Sequence, residues 1–308
     1  MKKFILILIS LLFVTGCMEE KEVTSLQDRG GVKYEINSEV GFTGRLVKKY
    51  EDGQKKLEEH YKDGELDGLW TSWNENGQKI YEVNYKNERL EGLGIKWYEN
   101  GQKEEERNYK NGKLEGLWTS WDENGQKEVE ENYKNGKLEG LWTSWFKSGQ
   151  KMSETNYKDG KKEGLATVWY KNGQEEYEGH YKSGKLEGLY THWYEKGQKE
   201  VEKHYKDGKL EGLLTLWDEK GQKKMEVNSK NGKKEGIQTG WFENGQKMWE
   251  GNFEKGKKEG LRTYWDKNGK KMFEKNFKNG EKEGLWTYWD KEGNIVKTET
   301  YKDGALVR

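Results

Sequence analysis

"NGKLEGLWTSWDENGQKEVEENYK" occupies residues 111–134, and "NGKLEGLWTSWFKSGQKMSETNYK" follows at 135–158. Trp and Gly hold their places while the residues between them change. The step is 24 everywhere: Gly68, Gly92, Gly116 and onward to Gly284, with Trp73, Trp97, Trp121 and onward to Trp289. A fixed period of this size marks a repeat architecture. Each unit carries two turn signals, "ENGQ" (Glu75 to Gln78) and "KNGK" (Lys110 to Lys113). Asn-Gly favours the type I′ turn, which needs positive φ at both central residues. The intervals between turns fit one strand each and leave no room for an ordinary helix. Trp, Tyr and Thr favour strands. The unit is therefore a β-hairpin, and the chain is expected to be an all-β, twisted or coiled antiparallel meander of about ten such units.

Side chains alternate across a strand. In "GLWTSW", Leu69, Thr71 and Trp73 share one face, and this triplet recurs almost unchanged. Positions 70 and 72 share the other face, and they drift. The drifting columns hold Trp70, Trp118, Trp142, Tyr190, His192, Tyr264, Trp286 and Tyr288. The fixed face is expected to be the sheltered one, and these eight residues the candidate binding face. Seven aromatics on a solvent face exceed scattered exposure. The acidic column at Glu82 and the basic column at Lys86 are expected to form cross-strand ion ladders, each pair of small worth. Gly68 and its equivalents fit either a β-bulge or a simple turn position. Burying one Trp or Leu contributes roughly 1.5–3 kcal/mol, so a single unit cannot stand alone and neighbours must supply the stability.

Of the 308 residues 31% are hydrophobic and 36% charged, with 40 Gly and no Pro. Such a composition points toward disorder, but 15 Trp, 18 Tyr and 8 Phe point away from it. A thin aromatic core under a large solvated surface reconciles the two. With 56 basic and 56 acidic residues, bulk charge gives no reason to expect nucleic acid as a partner.

The first residues follow a different logic. Met1-Lys2-Lys3 precedes the apolar run Phe4 to Phe13 and then "VTGC", Val14 to Cys17. Ten apolar residues are too few to span a bilayer and fit a secretory signal. The ending resembles the lipobox of bacterial lipoproteins. That resemblance implies cleavage after Gly16, lipid on Cys17 (the single cysteine) and an outer-membrane location. The expected organisation is a signal peptide at 1–16, lipidated Cys17 and a flexible tether over 17–40, the array over 41–304, and a tail at 305–308. The half-unit "GRLVKKYEDGQ" lacks Trp and reads as an N-terminal cap.

The motif "NGKLEGLWTSW" followed by "ENGQK" resembles the bacterial variant of the MORN repeat across about residues 41–304. The resemblance implies an extended antiparallel sheet with a binding or scaffolding role rather than catalysis. Some relatives carry an antitoxin label and some a lipid-kinase label; neither has support here beyond the repeat. No nucleotide-binding loop, G-x-S-x-G context or metal-spaced Cys/His cluster occurs. His60, His180 and His204 sit in a column otherwise mostly Asn and read as repeat drift. No catalytic residue, metal or cofactor is expected. The expected function is that of a lipid-anchored envelope protein whose drifting face binds a partner protein. A glycan stacked on the aromatics, or an antitoxin-like role, is the alternative.

Overall fold

The computed structural model describes residues 21–307, which fall into two units, 21–101 and 102–307. The proposed signal peptide and Cys17 lie outside the described residues. Among the described residues there is no helix. In the first unit, Gly44–Lys49, Lys55–Lys62, Glu65–Trp73, Lys79–Lys86 and Arg89–Trp97 pair antiparallel, each with its neighbour in sequence. The second unit continues the pattern from Lys103–Lys110 to Ile295–Lys302.

The two turns of a unit differ in kind, although both read Asn-Gly. In the KNGK hairpin Asn111 and Gly112 have φ of 50° and 77°, the two positive angles of a type I′ turn. In the other hairpin only Gly125 is positive, at 79°. There Gly125 donates to the Asp122 carbonyl and Asp122 to the Gln126 carbonyl, which is a type I turn closed by a glycine bulge. The Asp122 carboxylate accepts the N–H groups of Asn124 and Gln126. The sequence expectation of type I′ at both turns is thus corrected: the Asx-type acceptor at position 122 holds the longer loop. The open question about Gly68 and its equivalents is also decided. Register shifts between Leu114 and Trp118 against the preceding strand, with Gly116 at φ +81°, so the glycine is the bulge.

The expected tether does not extend through residue 40. Glu22–Val23 pairs in parallel with Arg45 and Leu46 at the first strand's edge, and Gln27–Arg29 with Val32–Tyr34 forms a hairpin. Val23 and Leu26 pack on a cluster of Phe42, Leu46, Tyr61 and Leu66. Apolar side chains at 23 and 26 cover what would otherwise be an open edge. At the other end Ala305–Leu306 pairs with Tyr301 and Lys302, so the expected tail completes a hairpin.

Burial divides the faces differently from the expectation. The fixed leucines are exposed, from 38% at Leu165 to 57% at Ile237. The fixed threonines are buried, as at Thr71, Thr119 and Thr215. Long side chains flank the small Thr residues: Glu130, opposite Thr119 and Thr143, is reached by Lys127 of its own strand, which stands 5.6 Å from the Trp145 ring centre. The same arrangement recurs at Lys199, Glu202 and Trp217 and at Lys247, Glu250 and Trp265. The expected ladder between the Glu82 and Lys86 columns is therefore replaced by pairs within one strand, such as Lys79 with Glu82.

Candidate functional site: the variable face

Residues opposite one another on paired strands share a face. Trp70 stands opposite Glu59 on one side and Val83 on the other. Trp142 stands between Glu131 and Thr155. The drift at position 70 is matched by drift in these neighbours. Trp70 and Trp142 donate from Nε1 to Glu59 and Glu131 at 3.0 and 2.8 Å. Tyr61 and Tyr133 donate to the same two carboxylates. Where Tyr190 fills the column, its partner is Gly179, and an added Cβ there would lie 3.1 Å from the Tyr190 ring. Where Arg262 fills it, the partner is Gly251, with 2.8 Å from an added Cβ to Arg262 Cγ. Bulk on one strand is balanced by a small or hydrogen-bonding residue on the next.

The eight candidate residues are accordingly half-buried, except Trp286, which is 5% exposed. Trp70 meets Tyr81 edge-on at 5.7 Å, and the Arg107 guanidinium lies 5.8 Å from the Trp118 ring. Tyr190 stacks on Tyr177 at 5.8 Å and meets Tyr205 edge-on. His192 Nδ1 lies 2.8 Å from the Glu200 carboxylate. Tyr264, Phe273 and Tyr288 form a row with ring centres 4.4 and 6.1 Å apart. Trp286 packs on Phe277 and Tyr301 and donates to the Asn276 carbonyl. The structure brings Tyr264, Trp286 and Tyr288 into one patch; Trp118, Trp142, Tyr190 and His192 lie along the same face in earlier units. A groove of about 400 Å³ runs beside Tyr288, lined by Met272, Phe273, Trp289 and Val296. No second layer of strands covers this face in residues 102–307.

Burial, with help from Tyr177, Tyr181 and Tyr205 nearby, pushes the Tyr190 phenol up to about 12 from its ordinary 10.0. Its neutral form is favoured in the folded state. The associated stability is complete below pH 10 and is lost as pH rises through 12. In an alkaline absorbance titration, Tyr190→Phe should remove one phenol from the late-titrating group and leave the early one unchanged. An early loss instead would contradict the assignment.

Sequence reasoning missed Arg107, Glu131 and Lys275 as members of this face, and left Arg262 in the drifting column without a role. Comparing position 70 with positions 59 and 83, its cross-strand neighbours, is the signal that finds them. Among the described residues no group of three or more His, Cys, Asp or Glu could hold a metal ion.

A single layer of stacked hairpins with a constant 24-residue step defines a repeat protein whose units differ mainly on one face. The MORN repeat variant family matches residues 66–87, 90–111, 114–135, 138–159, 162–183, 186–207, 258–279 and 282–303. These windows cover more than half of the chain, which belongs to that family. No curated protein matches it.

Proposed function

We propose that the chain is a non-enzymatic interaction array, tethered to a bacterial envelope membrane by lipid on Cys17, that binds a partner protein along its variable face. The observation that supports this most is the row of Tyr264, Phe273 and Tyr288, whose rings pack on each other with no second layer of strands above them. A half-buried aromatic row rimmed by cations suits protein contacts. Repeat arrays present such extended faces. A glycan needs free ring faces on which to stack. Lys275 and Lys282 already stand 4.7 and 4.8 Å from the Trp286 ring, and Lys275 and Lys297 flank Tyr288. This favours a protein over a sugar. An antitoxin-like role would be one special case of partner binding.

A photocrosslinking residue at position 264 or 288, in intact cells, should yield a discrete protein adduct, and one at position 261, on the opposite face, should not. Equal labelling from both faces, or none from either, would sink the proposal. Separately, Cys17→Ala should move the protein from the membrane to the soluble fraction; unchanged fractionation would remove the anchor from the reading.

A further inference from the structure

Net charge near zero conceals a segregation along the variable face of the second unit. Among residues 102–205 that face carries Glu105 and Glu131 together with Arg107, Lys162 and Lys203, each of these cations over a ring. Farther along, cations outnumber the acids, with Glu299 remaining on the face beside Lys297, Tyr288 and Tyr301. Lys234, Lys258 and Lys282 occupy the column that holds Leu114, Leu138, Leu186 and Leu210 in other units. Each stands over a ring on the following strand: Lys234 over Phe253 at 5.2 Å, Lys258 over Phe277 at 4.8 Å, Lys282 over Tyr301 at 4.5 Å. Arg262 lies among Trp249, Phe253 and Tyr264 at 4.3, 5.9 and 5.2 Å. Lys275 lies among Phe273, Trp286 and Tyr288 at 4.3, 4.7 and 5.8 Å.

These five cations have no carboxylate within ion-pair distance among the described residues, and the buried Arg262 Nε has no hydrogen-bond partner. Burial holds the Lys258 ammonium below its ordinary range, and Arg262 and Lys234 push it lower. Burial does the same to Lys275, with Lys282 adding to it and Glu299 partly opposing it. Cations crowded in this way and without ion-pair partners, with Lys258 and Lys275 partly desolvated, are repaid when an anion arrives. The aromatic rings orient them while blocking their own faces. Base stacking of a single-stranded nucleic acid, which uses free ring faces, is therefore disfavoured against carboxylates meeting the outward sides of the cations.

We propose that Lys234, Lys258, Arg262, Lys275 and Lys282 form a docking site for an acidic, Asp/Glu-rich segment of the partner protein. This rests on the partner-binding reading above and adds the partner's chemistry.

The test uses the mature chain and a fluorescent 20-residue poly-glutamate peptide, followed by anisotropy. Binding should weaken steeply with salt. The triple variant Lys234→Leu, Lys258→Leu, Lys282→Leu restores residues that other units carry there and keeps the fold. It should weaken binding about tenfold or more, as should Arg262→Gln with Lys275→Gln. Neutralising Lys233, Lys257 and Lys278 at the exposed hairpin turns should leave affinity within about twofold. Equal losses in the turn variant would show bulk charge only and overturn the site. So would unchanged binding in the first two variants, a single-stranded oligonucleotide binding tighter than the peptide, or a dimer of the chain abolished by Arg262→Gln. Crosslinked adducts at 264 or 288 that persist without peptide affinity would refute the acidic site while leaving partner binding intact.

Discussion

Trp286→Ala should be the most damaging single truncation on the variable face, at about 3–5 kcal/mol. The side chain is 5% exposed, contacts Phe277 and Tyr301, and donates to the Asn276 carbonyl at 3.0 Å. Alanine leaves a void under two rings and an unused carbonyl. Stability in a repeat array is a sum of local and nearest-neighbour terms, so the loss should be local. Hydrogen exchange should accelerate over residues 271–302 and stay near wild type over 103–158. Uniform acceleration, or none, would show that Trp286 does not anchor its own hairpins.

Val83→Asp should cost about 3 kcal/mol or more at neutral pH. Val83 is 0% exposed. The same column accepts a carboxylate at Glu59, Glu131 and Glu299, and the reason is specific. Each of those acids receives two donors: Tyr61 and Trp70 for Glu59, Tyr133 and Trp142 for Glu131, Tyr288 and Tyr301 for Glu299. At Val83 the adjacent Trp70 has already given its indole N–H to Glu59, and the other neighbour is Gly94. An aspartate there would be desolvated without that pair of donors. Its pKa would rise, so the penalty should shrink as pH falls toward 4 and the group takes up a proton. A urea midpoint measured against pH reads this out. A penalty that stays flat with pH would show that the new carboxylate finds partners.

The constant columns made the hairpins legible, because period 2 within a strand and period 24 between units reinforce each other. Turn chemistry was half legible. Asn111-Gly112 and Asn124-Gly125 are the same dipeptide, and only the acceptor at Asp122 and the extra loop residue separate the two geometries. Which face is covered was not legible from constancy. Leu117 recurs yet stays exposed, whereas Ala166 and Gln238 differ between units yet are each 1% exposed. In a single layer, cover comes from cross-strand neighbours. Trp142 is explained by Glu131 eleven residues earlier, not by anything adjacent in sequence. Averaged charge likewise hid the cations around Arg262, because segregation appears only after residues are sorted by face and by unit. The segment 21–40 looked aperiodic because it packs through two apolar residues, Val23 and Leu26, rather than through a repeat.

The side-chain-to-backbone links that span twenty or more residues all point the same way. Glu115 accepts the N–H of Asn135, Glu139 that of Asp159, and Glu187 that of Asp207, each twenty residues downstream. Tyr170 and Tyr194 reach the carbonyls of Trp193 and Trp217. Every hairpin thus holds the clamp for the one made after it. A chain that leaves the ribosome or a translocation pore with its amino end leading would find a finished template at each step. Assembly would then run as a zipper from the end capped by Phe42 and Leu46, with little incentive to pair out of turn.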